Sequence, residues 1–423
     1  MSRRAPDPRF AAALLALAGA MACDSGGDAA GAARDASSGA GADSGGGAAT
    51  DAAPPPDTGL LDARPPDGAA PDAGPPGPPQ LTGIDFDLVP RGSTFTATGI
   101  DLTGATRVAI GGVAQVQFAV QSATELQVGD VDPATPLGVQ DLLVTTPLGN
   151  SAPITIEVIG LGVSPPVLAH GGTAVLTAQG FSGFVDGETA VTLGGIPQPA
   201  AVSAADSVAI GPLVDAAGAG VRPLAIVAGR TTIAPIDVPV LHLVISELDS
   251  DTPAAPVDDS LEFIEIATGL AAAPLDDYAV VLYDGAGDTS YAAFDLDGVV
   301  ADTGGLALLG NPDVSPAPAV AFPAGTLQNG ADAAALVQGA AADFPPGTAI
   351  ATANVLDAVV YDTSDPDDPG LLTLYGAGPQ AVQVDEGETD AETEAVARCG
   401  PDRLDGRSYQ VVAPTPGAAN ACR

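Results

Sequence analysis

Few side chains in this chain could do chemistry, and carboxylates are the most abundant of them. Only two histidines occur. His170 precedes Gly171-Gly172, a turn-forming pair, and His242 lies between Leu241 and Leu243. Ser-His-Asp catalysis needs an imidazole beside a nucleophile, and no G-x-S-x-G elbow accompanies either one. There is no H-E-x-x-H zinc motif, and Cys399 and Cys422 are spaced for a disulfide rather than for a metal. Glu262 and Glu265 could be written as an acid/base pair. They fall inside a strand-like run, Leu261–Ile266, and one of them is expected to face solvent or a structural partner. A paired-carboxylate glycosidase also needs aromatic rings to stack on sugar, and Trp is absent. Catalysis is therefore not expected. Calcium is the cofactor this composition could take, because hard cations bind carboxylate and carbonyl oxygens in loops. The candidates are Asp249 and Asp251, Asp258 and Asp259, Asp295 and Asp297, and Asp362, Asp365, Asp367 and Asp368. None has full EF-hand spacing: Asp295-Leu296-Asp297-Gly298 lacks the third ligand and the distal Glu. The alternative is a solvated acidic surface.

The third cysteine, Cys23, has a different setting. Arg3, Arg4 and Arg9 precede an apolar run, Phe10–Met21, too short to span a bilayer. Ala20-Met21-Ala22 is a small-x-small site directly before Cys23. Met1–Cys23 resembles a bacterial lipoprotein signal, although that family's usual Leu three residues before the cysteine is here Ala20. The resemblance implies that Cys23 is acylated and becomes the new N-terminus. Ordinary secretion with cleavage at the same bond is the alternative. Cysteine arithmetic favours the lipid: with Cys23 acylated, Cys399 and Cys422 remain as an even pair in an oxidising compartment.

Charge narrows the partners. The 423 residues include 53 acidic and 13 basic ones, for a formal charge of −40, and every basic residue is Arg. Such a surface repels nucleic acid and anionic lipid headgroups. Membrane attachment must then come from acyl chains. Residues 24–79 hold Ala, Gly, Ser, Asp and Pro with almost no large apolar side chain, too little to offset ordering entropy. They are expected to form a disordered tether, flexible at first and stiffer from Pro54 onward.

From Gln80 the elements that must position any site become legible. Phe95-Thr96-Ala97-Thr98 and Ile154-Thr155-Ile156-Glu157-Val158 alternate as half-buried strands do, and Gly and Pro divide them. Frequent turn signals predict β-sandwiches rather than helices. A repeat of roughly 80 residues supports this. Ser93–Gly99 precedes Val108-Ala109-Ile110-Gly111-Gly112-Val113; Thr173–Gly180 precedes Ala190-Val191-Thr192-Leu193-Gly194-Gly195-Ile196. Both copies also open with a strand rising into a proline, Leu81–Pro90 and Leu161–Pro166. This order resembles the IPT/TIG family of immunoglobulin-like domains. The first copy also has the family's late strand and its Thr146-Pro147-Leu148-Gly149. The second departs from the pattern, with Pro197 and Pro199 in its hairpin.

The remainder differs. It holds Leu243-Val244-Ile245-Ser246-Glu247, then Leu261-Glu262-Phe263-Ile264-Glu265-Ile266, then Tyr278–Tyr283, and closes on Pro414-Thr415-Pro416-Gly417-Ala418-Ala419-Asn420. These four motifs, in this order, resemble the lamin tail domain as bacteria use it. The resemblance implies another immunoglobulin-like sandwich, with Cys399 and Cys422 stapling its last strand. A loop of that length contributes roughly 3 kcal/mol. Residues 302–394 fit the family pattern poorly and are expected to be an expanded loop region.

The expected architecture is all-β. A signal peptide (1–22) and a disordered tether (23–79) precede tandem immunoglobulin-like sandwiches at 80–159, 160–241 and 242–423. The expected function is a non-enzymatic, surface-displayed lipoprotein. It would be exported, lipid-anchored to the cell envelope and presenting binding faces to a protein or glycan. An accessory or degenerate relative of a secreted hydrolase is the alternative.

Overall fold

A computed structural model of the chain describes residues 76–253, 259–386 and 391–422. Cys23, Asp258, the signal segment and the tether up to residue 75 lie outside the described residues. Gly77–Arg423 form one compact unit. It is all-β, as tandem immunoglobulin-like sandwiches, and the described helical segments are short 3-10 turns.

Alternation sets the faces. In Phe95–Ile100 the side chains of Phe95 and Ala97 point inward while the two threonines stay outside. Ala174–Gln179 repeats this, with Ala174, Leu176 and Ala178 inside. The first core gathers Phe95, Leu102, Val108, Ile110, Leu126, Leu142 and Val144. The second gathers Leu176, Leu193, Val208, Leu224, Ile226 and Val240. Both copies make the same tight hairpin. Gly111 and Gly112 have φ of 56° and 84°, and Gly194 and Gly195 have 58° and 81°. Two successive positive φ angles define a type I′ turn, which matches strand twist and favours glycine at both positions. The Gly-Gly pair of the repeat is thus a backbone requirement. Pro197 is tolerated because Ile196–Gln198 is an edge strand, paired on one side only.

The first two sandwiches share strands. Ile154–Ser164 pairs with Gly138–Thr146 through its first half and with Ala174–Gln179 through its second. It runs unbroken across position 160. Leu88–Pro90 pairs in parallel with Ile154–Ser164 and touches Thr231–Leu241 at Ile233.

The third sandwich has a six-stranded and a five-stranded sheet. The six-stranded order is Val320–Ala321, Leu306–Gly310, Phe263–Ala267, Val244–Asp249, Ala395–Arg398, Tyr409–Val412. The other runs Thr289–Asp295, Tyr278–Asp284, Asp332–Gln338, Val355–Asp362, Val384–Asp385. Ile245, Ile264, Leu309, Tyr278, Val280, Leu336 and Tyr361 fill the space between them. The outer face of the five-stranded sheet is buried as well, with Val281, Tyr283 and Ala335 lying under Leu371 and Leu374. This corrects the loop expectation for residues 302–394. Asp332–Gln338 and Val355–Asp362 are central strands there. Burial on both faces removes the alternation by which a strand is recognised, and a run such as Ala333-Ala334-Ala335 carries little strand signal of its own.

Candidate functional site

The motifs of the third domain converge on one another. Glu247 ends the first motif and Glu265 lies in the second, and they face each other across paired strands. Both are fully buried. The closing motif docks on them. The Thr415 backbone N–H and hydroxyl donate to the two Glu247 carboxylate oxygens at 2.8 and 3.0 Å. The Gly417 N–H donates to Glu265 Oε2 at 2.7 Å. Asn420 Nδ2 donates to the Ser246 and Arg398 carbonyls, each at 2.9 Å. The Cys399–Cys422 disulfide closes the same segment, with Cα atoms 5.5 Å apart.

Glu262 and Glu265 are therefore both internal, and of the two settings expected for one of them, solvent or a structural partner, both take the structural partner. Glu262 Oε2 accepts from the Thr326 N–H at 3.1 Å and from Asn311 Nδ2 at 3.4 Å. Burial pushes each carboxyl up to about 7, against the pull of these donors. They hold segments in place, and neither faces the other as an acid/base pair.

Arg398 anchors the centre of this sandwich. Its Nη2 donates to Asp357 Oδ2 at 2.5 Å, and Asp357 is fully buried. The same carboxylate accepts from the Ile245 and Leu404 N–H groups at 2.8 and 2.9 Å. The guanidinium lies 4.4 Å from the Tyr409 ring centre.

The expected calcium ligands are divided among different settings. Asp295 and Asp297 are exposed, and their carboxylates cap turns: Asp295 Oδ1 accepts from the Asp297 N–H, and Asp297 Oδ1 from the Asp277 N–H. Asp368 caps the turn at Gly370 and Leu371. Asp365 and Asp367 are exposed in the same loop. Asp259 Oδ1 accepts from the Thr252 N–H at 3.2 Å.

Asp249 and Asp362 are buried, and the strand pairing brings a third carboxylate, Glu386, beside them. The Glu386 N–H donates to the Asp362 carbonyl at 2.9 Å. The Ser250 N–H and hydroxyl donate to Glu386. Asp249 Oδ1 has no hydrogen-bond partner. Burial and then the neighbouring Glu386 push the Asp249 carboxyl up to about 9. Burial raises Glu386 to about 8. Burial and then Asp385 raise Asp362 to about 7. The described arginines of this sandwich pair elsewhere, with Asp357, Asp215 and Asp405. Nothing in the local sequence marks Glu386 as a neighbour of Asp249, because the two belong to different sheets and meet where Ser250 bonds Glu386 across 136 residues.

The two histidines meet where the second sandwich joins the third. His170 Nδ1 lies 3.1 Å from His242 Nδ1. Asp215, at the start of a 3-10 turn, brings Oδ1 to 3.9 Å from His170 Nδ1. Arg403 Nε and Nη2 donate to that oxygen at 3.0 and 2.7 Å. Burial holds His170 near 4 and lowers His242, so both rings are neutral at neutral pH. Among the described residues, this is the one set of three ligating side chains whose donor atoms lie within 4.8 Å of one another. Beside it opens a depression of about 900 Å³, lined by His242, Arg398, Asn420 and the disulfide, with no Phe or Tyr in its walls. Asp215 and Arg403 carry no sequence signal, being single charges in loops.

No protein-family model matches the sequence, and no curated protein matches it. Among solved structures, the extracellular region of plexin A4 is similar over 38% of this chain and 18% of its own, at 14% identity and a TM-score of 0.21. This chain thus spans under a fifth of that protein. SGBP-B from a xyloglucan utilization locus in Bacteroides uniformis is similar over 48% of this chain and 73% of its own, at 16% identity and a TM-score of 0.17. A tandem pair of titin Ig domains is similar over 38% and 97%, at 11% identity and a TM-score of 0.16. At these identities the likeness concerns fold alone.

Proposed function

We propose that this chain is a non-enzymatic binding module, anchored to the cell envelope through an acylated Cys23 and presenting its sandwiches to a protein or glycan. One observation carries the reading. The groups that catalysis would recruit are used in construction: the two imidazoles contact each other at a domain junction, and Glu247, Glu262 and Glu265 hold chain segments inside the third sandwich. The disulfide supports export, since such bonds persist in oxidising compartments. The lamin-tail-like reading of the third domain is supported by the way its motifs interlock. The test uses residues 77–423 against immobilised polysaccharides and envelope proteins, with a hydrolase substrate panel run in parallel. Saturable binding without turnover is the expected result. Turnover that is lost in Glu262→Gln would instead favour the hydrolase-relative reading.

Calcium at the acidic end of the third sandwich belongs to the same proposal. Asp249 favours it, as a buried carboxylate with one oxygen lacking any partner. Glu386 is its neighbour, and Glu386 in turn lies beside Asp362 and takes the Ser250 hydroxyl. Calcium fills six to eight positions with backbone carbonyls and water as well as carboxylates, so few side chains need converge.

A further inference from the structure

We propose that His170 Nδ1, His242 Nδ1 and Asp215 Oδ1 form a site for one divalent transition-metal ion of the zinc class, which clamps the second sandwich to the third. The donor set comes first. Two imidazoles and a carboxylate are borderline ligands, suited to zinc, copper or nickel rather than to calcium or magnesium. The geometry is close to what such an ion needs. Two nitrogens bound to tetrahedral zinc at about 2.0–2.1 Å lie about 3.4 Å apart, and the two Nδ1 atoms are separated by 3.1 Å. Asp215 Oδ1, at 3.9 Å from His170 Nδ1, needs to close by roughly half an ångström.

Each ligand comes from a separate place in the fold. His170 follows the short strand Leu168–Ala169, Asp215 opens its 3-10 turn, and His242 follows the strand Thr231–Leu241. His170 is 1% exposed, and its Nε2 has no hydrogen-bond partner. Nδ1 is the ring atom that meets both His242 and Asp215. His242 also lines the neighbouring depression, from which water could supply a fourth ligand.

The charges around the site are balanced. Asp215 and Asp357 face Arg403 and Arg398 around the His242 ring. Arg403 is the competitor, because it donates to the same Asp215 oxygen that the metal would take. Asp215 is half exposed, so its carboxylate can turn the other oxygen to the guanidinium. This gives the site a signature that a plain histidine pair lacks: removing Arg403 should strengthen metal binding.

The test titrates zinc, and cobalt as a spectroscopic probe, into the purified full chain against a chromophoric chelator. The chelator keeps weak binding by surface carboxylates out of the reading. One equivalent of metal is expected, with cobalt giving the visible absorption of a four-coordinate site. Asp215→Asn alters a half-exposed side chain and should weaken zinc by about tenfold or more. His242→Gln should abolish the cobalt signal, and Arg403→Gln should tighten zinc several-fold. If no stoichiometric zinc competes with the chelator, or if Asp215→Asn and His242→Gln bind as the parent does, the site is a hydrogen-bonded imidazole pair and the proposal falls.

Discussion

Asp357 and Arg398 form the ion pair on which the third sandwich most depends. Both side chains are removed from water, and the carboxylate also takes two backbone N–H groups. Breaking such a pair from one side leaves a buried charge without compensation, which costs about 3–5 kcal/mol. Asp357→Ala should lower the unfolding free energy extrapolated from urea melts by that amount, whereas the exposed pair partner Arg407→Gln should barely move it. A loss below about 1 kcal/mol for Asp357→Ala would mean that water reaches Arg398. Gly195 offers a smaller and cleaner case. Its φ is 81°, and a Cβ there would meet no atom within 4 Å. Gly195→Ala should therefore cost only the left-handed backbone penalty, about 1–2 kcal/mol, by the same measurement. The Gly-Gly pairs were legible as turns because their chemistry is local. Asp357 was not, because a lone acid in an apolar run shows neither its burial nor its partner, an arginine 41 residues away.

At the level of elements, carboxylate burial makes the third sandwich pH-sensitive in a defined direction. Unfolded carboxyls titrate near 4, whereas Asp249, Glu386 and Asp362 titrate at about 9, 8 and 7 in the fold. Between those limits the folded state holds more protons than the unfolded one, so stability falls as pH rises. Residues 77–423 should melt roughly 5–10 °C lower at pH 9 than at pH 5.5. A melting temperature that is flat or rising over this range would show that these groups are solvated. A cation seated among the same carboxylates replaces the protons. Calcium should then cancel most of the loss at pH 9, by binding the folded form alone, and magnesium at equal ionic strength should not. Equal melting temperatures in the two ions would leave an acidic surface without a calcium site. The elements themselves were unevenly readable. Strands with one wet face, such as Phe95–Ile100, show their alternation in sequence. The doubly buried strands at 332–338 and 355–362 show none. The interlocking of the third domain's motifs became visible only when Glu247 and Glu265 were found side by side under Thr415 and Gly417.

For the whole molecule, charge and attachment belong to one argument. The sequence carries 53 acidic residues against 13 arginines. A surface of that sign is repelled by anionic headgroups, and no described helix is long and apolar enough to cross a membrane. A hold on the membrane through an acylated Cys23 would be hydrophobic and covalent, and several acyl chains would be needed because one binds only marginally. The cysteine count supports this assignment, since Cys399 and Cys422 are joined to each other and Cys23 is left over. Acylation should place the full-length protein, expressed with its signal in a bacterial host, in the detergent phase of a temperature-induced phase separation. Cys23→Ser should move it to the aqueous phase, with the disulfide and the melting behaviour of residues 77–423 unchanged. Raising salt should not release an acylated protein from membranes, because acyl chains hold it without ion pairing. A wild-type protein already found in the aqueous phase would mean ordinary secretion, with Cys23 a leftover thiol.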